Sequence, residues 1–311
     1  MTKRIIDPGK YAYFEGQYVP IEQANVSILT HSFNYGTALF EGIRGYYRKD
    51  DGQVLIFRLK EHVDRLVRNF NILCMDVPET REDIARICVE LVKRSEFKEG
   101  VYLRPIAYKS ERSLGPKLHD VESSFCCWIM KLGAHVDIAA GLDCCVSSWR
   151  RLPDNAIPSR AKTVGSYINS SLASSEAKQN GFDEAIFLRE DGTVSEGSAM
   201  NLFMVIDGKL ITTPPTADIL VGITRNTVIE LAREELGLTV VERPIARTEL
   251  YVCDELFFTG TGAQVAPVRS VDRRKVGTGE PGPISRKLQT LYFDVVQGKV
   301  AKYAHWCTPV Y

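Results

Sequence analysis

Ile157-Pro-Ser-Arg-Ala-Lys-Thr-Val-Gly-Ser-Tyr-Ile-Asn-Ser-Ser-Leu172 sets Lys162 among small and apolar residues, where a strand gives way through a proline-bearing turn to a helical pattern. Burial strips water from an ammonium and favours the neutral amine, which attacks carbonyls, so the stretch suits a Schiff-base lysine. A lysine stem that covers apolar surface and keeps its head in water is the ordinary alternative. The rest of the chain has to decide between them.

The chain has 311 residues, 44% hydrophobic and 25% charged, which fits a soluble protein of about two domains with ample core. Basic and acidic residues balance at 39 each, so no electrostatic footprint for nucleic acid or an anionic membrane is present. Lys3 and Arg4 are not followed by an apolar run, and no stretch approaches membrane-spanning length, so a cytoplasmic location is expected. The cysteines (Cys74, Cys88, Cys126-Cys127, Cys144-Cys145, Cys253, Cys307) contain no Cys-x-x-Cys and read as small buried hydrophobes in a reducing compartment. The histidines show no ligand-like spacing, and no metal is expected.

In the first half, Tyr11 to Val19 alternates around Glu15-Gly16 as a hairpin. Gly36, Gly42 and Gly45 interrupt an aromatic strand pattern, through either bulges or close backbone approach to a ligand. Val54 to Phe57 is a strand that delivers Arg58 to the start of an amphipathic helix, where its planar fork can meet an anion. Glu79 to Phe97 is a second helix with Thr80 and Asp83 as a capping box. Strands Val101–Tyr108 and Ser124–Leu132 follow, and Tyr102 and Arg104 project from one face of the first. An arginine inside an apolar strand is expected to face a carboxylate of the protein or of a substrate.

In the second half, Leu142 to Trp149 is a buried strand and Ser166 to Gln179 a helix stopped by Asn180-Gly181, with Tyr167 close behind Lys162. Glu196, between a serine and a glycine, is either a surface turn residue or a buried carboxylate that must be paired. Thr224 reads as the N-cap of a helix through Leu236, whose free N–H groups suit a phosphate. Glu255 to Ala263 is a strand entering a Thr/Gly turn. Gly277-Thr-Gly-Glu-Pro-Gly282 formally matches a dinucleotide fingerprint, but two prolines flank its end and no βαβ strand leads into it, so it is rejected. A Schiff-base lysine, a nearby tyrosine, a buried carboxylate, an arginine and donor-rich turns are together what pyridoxal phosphate requires.

Tyr35-Gly-Thr-x-x-Phe-Glu-Gly-Ile-Arg44, Phe57-Arg58 with Glu61-His62 and Arg65, Tyr102-Leu-Arg-Pro105, Ile157-Pro-x-x-Ala-Lys162, Ser195-Glu-Gly197 with Asn201-Leu-Phe203, Gly222-Ile-Thr-Arg225 and Gly260-Thr261 resemble the branched-chain amino-acid aminotransferases of the class IV pyridoxal-phosphate group. The resemblance runs in register from about Tyr13 to Tyr292. It implies an α+β, two-domain fold-type IV enzyme: a small α/β domain over 1–132, an interdomain loop over 133–141, and a larger, β-barrel-like cofactor domain with helices over 142–311. It implies transamination of L-leucine, L-isoleucine and L-valine with 2-oxoglutarate, by a ping-pong mechanism through a lysine-bound pyridoxal 5'-phosphate.

By the same resemblance, Lys162 is the catalytic residue, Glu196 meets the pyridine nitrogen and Tyr167 the phenolic oxygen, and Arg58, Ile223, Thr224 and Thr261 hold the phosphate. Tyr102, Thr261 and Gly262 receive the substrate α-carboxylate, Arg104 with Tyr35 receives the distal carboxylate of glutamate, and Tyr35, Phe40 and Gly42 line the aliphatic pocket. The partners are small amino acids and 2-oxo acids, and at least a homodimer is implied, with the loop Ser110 to Leu118 reaching a neighbouring subunit. Leu132, His135 and Ala199-Met200 depart from the family pattern near the substrate pocket, so a shifted or broadened substrate range is expected. A D-amino-acid or (R)-amine transaminase, a lyase such as aminodeoxychorismate lyase, and a non-catalytic cofactor-binding protein are the alternatives.

Overall fold

Val101–Lys109 alternates in burial along most of its length, as a period-two strand must, and pairs antiparallel with Ser123–Lys131 from Val101↔Lys131 to Lys109↔Ser123. In the computed structural model, residues 7–133 and 140–311 are described; His135 and most of the 133–141 loop lie outside the described residues. The chain divides into two units. One holds the described residues up to 133 together with Ala161–Gly165 and Val295–Tyr311, and the other holds residues 140–160 and Ser166–Asp294. The sequence suggests one change of domain, at 133–141. The lysine segment and the C-terminus instead join the first unit through backbone pairing, with Leu39 bridged to Thr163 and Cys307–Pro309 paired with Gln53–Phe57.

The sheet of the first unit runs Cys307–Pro309, Gln53–Phe57, Ile43–Arg48, Val101–Lys109, Ser123–Lys131, Tyr11–Phe14, Gln17–Pro20, with Ala38–Phe40 also on Val101–Lys109. Helix Leu59–Phe70 buries Leu59, Val63, Leu66 and Phe70, one stripe at helical spacing. Helix Arg81–Ser95 has the expected capping box, Asp83 N donating to Thr80 Oγ1 and Thr80 N to Asp83 Oδ2, each at 3.1 Å. It buries Ile84, Ile87, Cys88, Leu91 and Val92 in the same core. Each such side chain contributes about 1.5–3 kcal/mol.

A proline within a central strand would ordinarily cost a ladder bond. Pro105 escapes this because Ala38–Phe40 and Ile43–Arg48 pair with the strand on either side of it, leaving the turn at Glu41-Gly42 opposite. Glu41 N donates to Pro105 O at 3.0 Å. The N and O of a strand residue face the same neighbour, so the missing N–H faces a turn that asks for no donor.

The second unit carries a mixed sheet ordered Val194–Gly197, Glu184–Leu188, Leu142–Arg150, Gln264–Val271, Glu255–Gly260, Asn201–Ile206, Lys209–Thr212, Val240–Glu242, with Arg274–Lys275 on Gln264–Val271. Its parallel pairs, such as Leu142–Arg150 with Glu184–Leu188, need crossovers, and helix Tyr167–Gln179 lies in that connection. Phe203 and Phe257 stack in its centre at 5.2 Å. The mixed sheets and helices agree with the α+β class. Five of its strands are additions to the sequence reading: Val194–Gly197, Lys209–Thr212, Val240–Glu242, Gln264–Val271 and Arg274–Lys275.

The first unit also buries three ionisable groups together. Glu41, at 1% exposure, accepts from Arg65 Nε and Nη2, each at 2.7 Å, and from His62 Nδ1 at 2.8 Å. Burial pulls the Glu41 carboxyl upward, but the Arg65 charge and the His62 and Arg65 hydrogen bonds outweigh it and hold the group at about 2. Burial pushes His62 below its ordinary value, against the pull of Glu41. The arrangement is therefore a carboxylate, a neutral imidazole donating from Nδ1, and a guanidinium.

Removing one member leaves a buried charge unpaired, so Glu41→Ala is expected to lower the unfolding free energy by about 3–5 kcal/mol in a denaturant titration. Both shifts are downward, so the unfolded chain binds more protons and stability falls on acidification. The His62 contribution fades below its ordinary value of 6.5, and the Glu41 contribution fades between 4.5 and about 2. An acid melting curve that is equally steep in Glu41→Ala and the native chain would contradict this.

Candidate active site

Lys162 is held by its backbone. Its carbonyl accepts from Phe40 N at 3.0 Å, Val164 N donates to Ala38 O at 2.8 Å, and Gly165 N donates to Gly36 O at 3.1 Å. The segment thus lies as a short strap along Gly36–Phe40. Gly36 has φ +68°, and a Cβ there would stand 2.9 Å from Gly165 Cα, so the close approach depends on two glycines facing each other. The half-buried Lys162 points its Nζ at the Phe40 ring, 4.9 Å from the centroid.

Arg104 lies over the same ring, with its Cζ 4.3 Å from the centroid. Its Nη2 and Nε donate to Tyr102 Oη at 2.6 and 3.0 Å, as the same-face spacing implied. Among the described residues Arg104 has no carboxylate partner. Gly42 is required beneath this pair, since a Cβ would come 2.5 Å from Tyr102 Oη. Lys162, Phe40, Gly42, Tyr102 and Arg104 are thus brought together.

Tyr35 is not joined to Arg104 by a hydrogen bond. Its Oη accepts from Gly115 N at 3.1 Å and its ring lies 4.7 Å from that of His31. The fully buried His31 bonds Gly115 O through Nε2 at 3.0 Å and Thr37 Oγ1 through Nδ1 at 2.8 Å. A carbonyl can only accept, so Nε2 carries the proton and Nδ1 accepts from the threonine. Arg58 occupies the left-handed region at φ +52°, directly before helix Leu59–Phe70. It donates from Nη1 to Glu61 at 2.8 Å, with its guanidinium 3.5 Å from the centroid of the Trp306 ring.

In the second unit Glu196 is 4% exposed and part of strand Val194–Gly197, so it is no surface turn residue. Its Oε1 pairs with Arg151 at 2.9 Å and accepts from Leu220 N at 3.4 Å, and its Oε2 accepts from Asn201 Nδ2 at 3.0 Å. Asn201 Nδ2 also donates to Leu220 O at 2.9 Å, which ties Glu196 to the start of helix Ile223–Glu234. Half-buried Tyr167 opens helix Tyr167–Gln179, and Thr261 and Gly262 form the turn between strands Glu255–Gly260 and Gln264–Val271.

The N-cap reading of Thr224 is corrected. Gly222 is the N-cap, Thr224 is the second helical residue, and the helix ends at Glu234 rather than Leu236. Position 222 has no room for a side chain, since a Cβ would stand 2.1 Å from Asn201 Oδ1. Of the three helix starts of this unit, Tyr167–Gln179 also lacks a side-chain cap, and the other two differ from each other. At Pro283–Val296 the buried Glu255 carboxylate accepts from Ile284 N and Ser285 N at 2.9 and 2.8 Å, so the protein fills the site itself. That explains why the glycine-rich run before it is no phosphate loop. At Ile223–Glu234 no side chain caps the helix, and the 4%-exposed Thr224 hydroxyl has no partner among the described residues. Each unit by itself holds groups of the kind pyridoxal phosphate needs: the second a buried paired carboxylate and a helix start with an unengaged threonine hydroxyl, the first a lysine and an arginine among aromatic rings.

Arg151 and Trp306 are the residues that sequence reading missed. Arg151 follows an arginine at a strand end and reads as solvated. Trp306 meets Arg58 through a pairing of distant segments, Cys307 with Phe57.

Residues 38–271 match the profile of amino-transferase class IV. The chain is 49% identical over 97% of its length, and 97% of the relative's, to a "Probable branched-chain-amino-acid aminotransferase" of Aquifex aeolicus (strain VF5). It superposes with a TM-score of 0.94, at 39% identity, on the branched-chain amino acid aminotransferase from Thermobaculum terrenum in PLP-form, covering 98% of this chain and 99% of that one. It superposes with a TM-score of 0.93, at 38% identity, on the T.th. branched-chain amino acid aminotransferase complexed with N-(5'-phosphopyridoxyl)-L-glutamate, covering 97% and 99%.

Gly222→Ala places a methyl group on Asn201 and displaces the start of the uncapped helix. It is expected to weaken pyridoxal phosphate binding about tenfold or more in equilibrium dialysis, a loss of about 1.4 kcal/mol or more. Native affinity in this variant would remove the helix start from the phosphate site.

Proposed function

The chain belongs to the amino-transferase class IV family, and from that premise we propose that it exchanges amino groups between L-leucine, L-isoleucine or L-valine and 2-oxoglutarate. It is a pyridoxal-phosphate-dependent branched-chain-amino-acid aminotransferase. The observation that carries the two-substrate reading is Arg104, a cation over the Phe40 ring with no carboxylate partner among the described residues. Phe40 and Gly42 offer an aliphatic side chain an apolar wall. Arg104, with Tyr35, offers the distal carboxylate of glutamate a charged partner at its edge. Such a wall separates leucine from valine weakly, since a methylene is worth about 1–3 kcal/mol.

Pyridoxal phosphate, when bound, supplies an aldehyde that condenses with amines and a ring that accepts electrons. Lys162 Nζ would be the amine that holds it and, when free, the base that takes a proton from the substrate α-carbon. Glu196 would keep a proton on the ring nitrogen, and Tyr167 would donate to the phenolic oxygen. Arg58, Ile223, Thr224 and Thr261 would hold the phosphate, and the Arg58 guanidinium is kept in one orientation by Trp306 and Glu61. Tyr102 and the turn Thr261-Gly262 receive the substrate α-carboxylate.

The protein acts as at least a homodimer in this reading, in the cytoplasm. Support for the dimer comes from the first unit, where Ile28, Leu29, Phe33 and Leu114 are 60–87% exposed on segments joined by His31 N to Glu111 O at 2.9 Å. Support for the compartment comes from eight cysteines that are all free thiols, with Cys126 and Cys253 pushed up to about 12 by burial.

L-leucine and L-glutamate, each added without a keto acid, are expected to convert the visible absorbance of the holoenzyme to that of the amine form. Conversion by D-alanine or an (R)-amine alone would refute the substrate assignment. Lys162→Ala should abolish turnover, and full transamination in that variant would overturn the central role. Arg104→Met is expected to raise KM for 2-oxoglutarate about 10–100-fold, the worth of a charge-assisted hydrogen bond, with a much smaller effect on L-leucine. Phe33→Glu with Leu114→Glu should lower the molar mass in light scattering to that of one chain.

A further inference from the structure

Arg151 directly follows strand Leu142–Arg150, and its backbone N–H donates to Leu188 O at 2.9 Å. The guanidinium is fixed on three sides. Nε donates to Asp218 O at 3.1 Å, Nη2 pairs with Glu196 Oε1 at 2.9 Å, and Cζ lies 5.7 Å from the centroid of the Phe187 ring. Asp218 is itself held in the left-handed region at φ +55°, with its carboxylate on Arg189 Nε at 2.8 Å. The side chains of Arg151 and Glu196 are 10% and 6% exposed, so both have given up most of their hydration. A buried pair of this kind is commonly no more stabilising than apolar residues of the same volume, and stability alone does not explain its presence.

We propose that Arg151 is a positioning residue for the transamination, holding the Glu196 carboxylate charged and aimed for the cofactor's ring nitrogen. This rests on the reading of Glu196 given above. A carboxyl group buried without a cation takes up a proton itself, and a neutral carboxyl group no longer stabilises a positive charge on the ring. Arg151 supplies that cation from the side of Oε1, while Asn201 fixes Oε2, so the carboxylate cannot rotate to face Arg151 with both oxygens. The arginine touches neither cofactor nor substrate in this role and acts through Glu196.

A double-mutant cycle tests the proposal, using Arg151→Met, Glu196→Gln and the double variant. Two readouts are taken: the affinity of the cofactor-stripped protein for pyridoxal phosphate by equilibrium dialysis, and the visible absorbance maximum of the bound cofactor. Each single change is expected to weaken binding about tenfold or more and to shift the maximum in the same direction. The double variant is expected to match Glu196→Gln within about twofold, because Arg151 has nothing left to act through. Losses that multiply in the double variant, or native affinity and spectrum in Arg151→Met, would overturn the proposal. Native behaviour of Glu196→Gln would instead overturn the assignment of Glu196. If Arg151→Met does not fold, Arg151→Gln, which can still donate to Glu196 Oε1 but carries no charge, takes its place in the cycle, and native affinity and spectrum in that variant overturn the proposal in the same way.

Discussion

The strap of Ala161–Gly165 along Gly36–Phe40 is the constraint on which the first unit's chemistry depends. Three backbone hydrogen bonds and one pair of facing glycines place Lys162 against Phe40, and Phe40 in turn carries Arg104. Glu41, next in the chain, is locked by His62 and Arg65 on helix Leu59–Phe70, which directly follows Arg58. Lys162, Phe40 and Arg58 are therefore not independently placed. A shift in the turn at Glu41-Gly42 moves all of them, and the buried charge cluster is what keeps that turn still.

The second unit reaches the same rigidity by different means. Its site is organised by one carboxylate, Glu196, whose two oxygens are divided between Arg151 and Asn201. Asn201 also sets how closely Gly222 may approach, so the residue that holds the carboxylate also fixes the start of the helix. Preorganised donors of this kind stabilise charge without having to reorient when it develops.

Much of this was legible in the sequence where local rules apply. The two-residue spacing of Tyr102 and Arg104 gave a common face, and Thr80 with Asp83 gave a helix start. The demand that a buried Glu196 be paired was correct, but its partner was not visible, because Arg151 lies 45 positions earlier and follows another arginine at a strand end. Ser195-Glu-Gly197 is too short and too polar to read as a strand. It becomes one because Glu184–Leu188 offers it an edge. Thr224 attracted the N-cap reading by residue preference, whereas the cap is decided by space at Gly222, which depends on a neighbour twenty-one residues away. The strap itself is a pairing of distant segments, and no periodicity within either segment announces it.

The contrast between the two helix starts has a consequence for the lifetime of the protein. Helix Pro283–Val296 is completed by Glu255, from within the chain, and its stability is settled once the chain has folded. Helix Ile223–Glu234 has no side-chain cap of its own, and in the function proposed above a phosphate would complete it. A ligand that binds the folded chain alone stabilises it by mass action, by about 2.7 kcal/mol at a hundredfold excess over its dissociation constant. A cell short of the vitamin from which the cofactor is made would thus hold less of this enzyme as well as less of it in working form, because the unloaded chain opens more often to proteases.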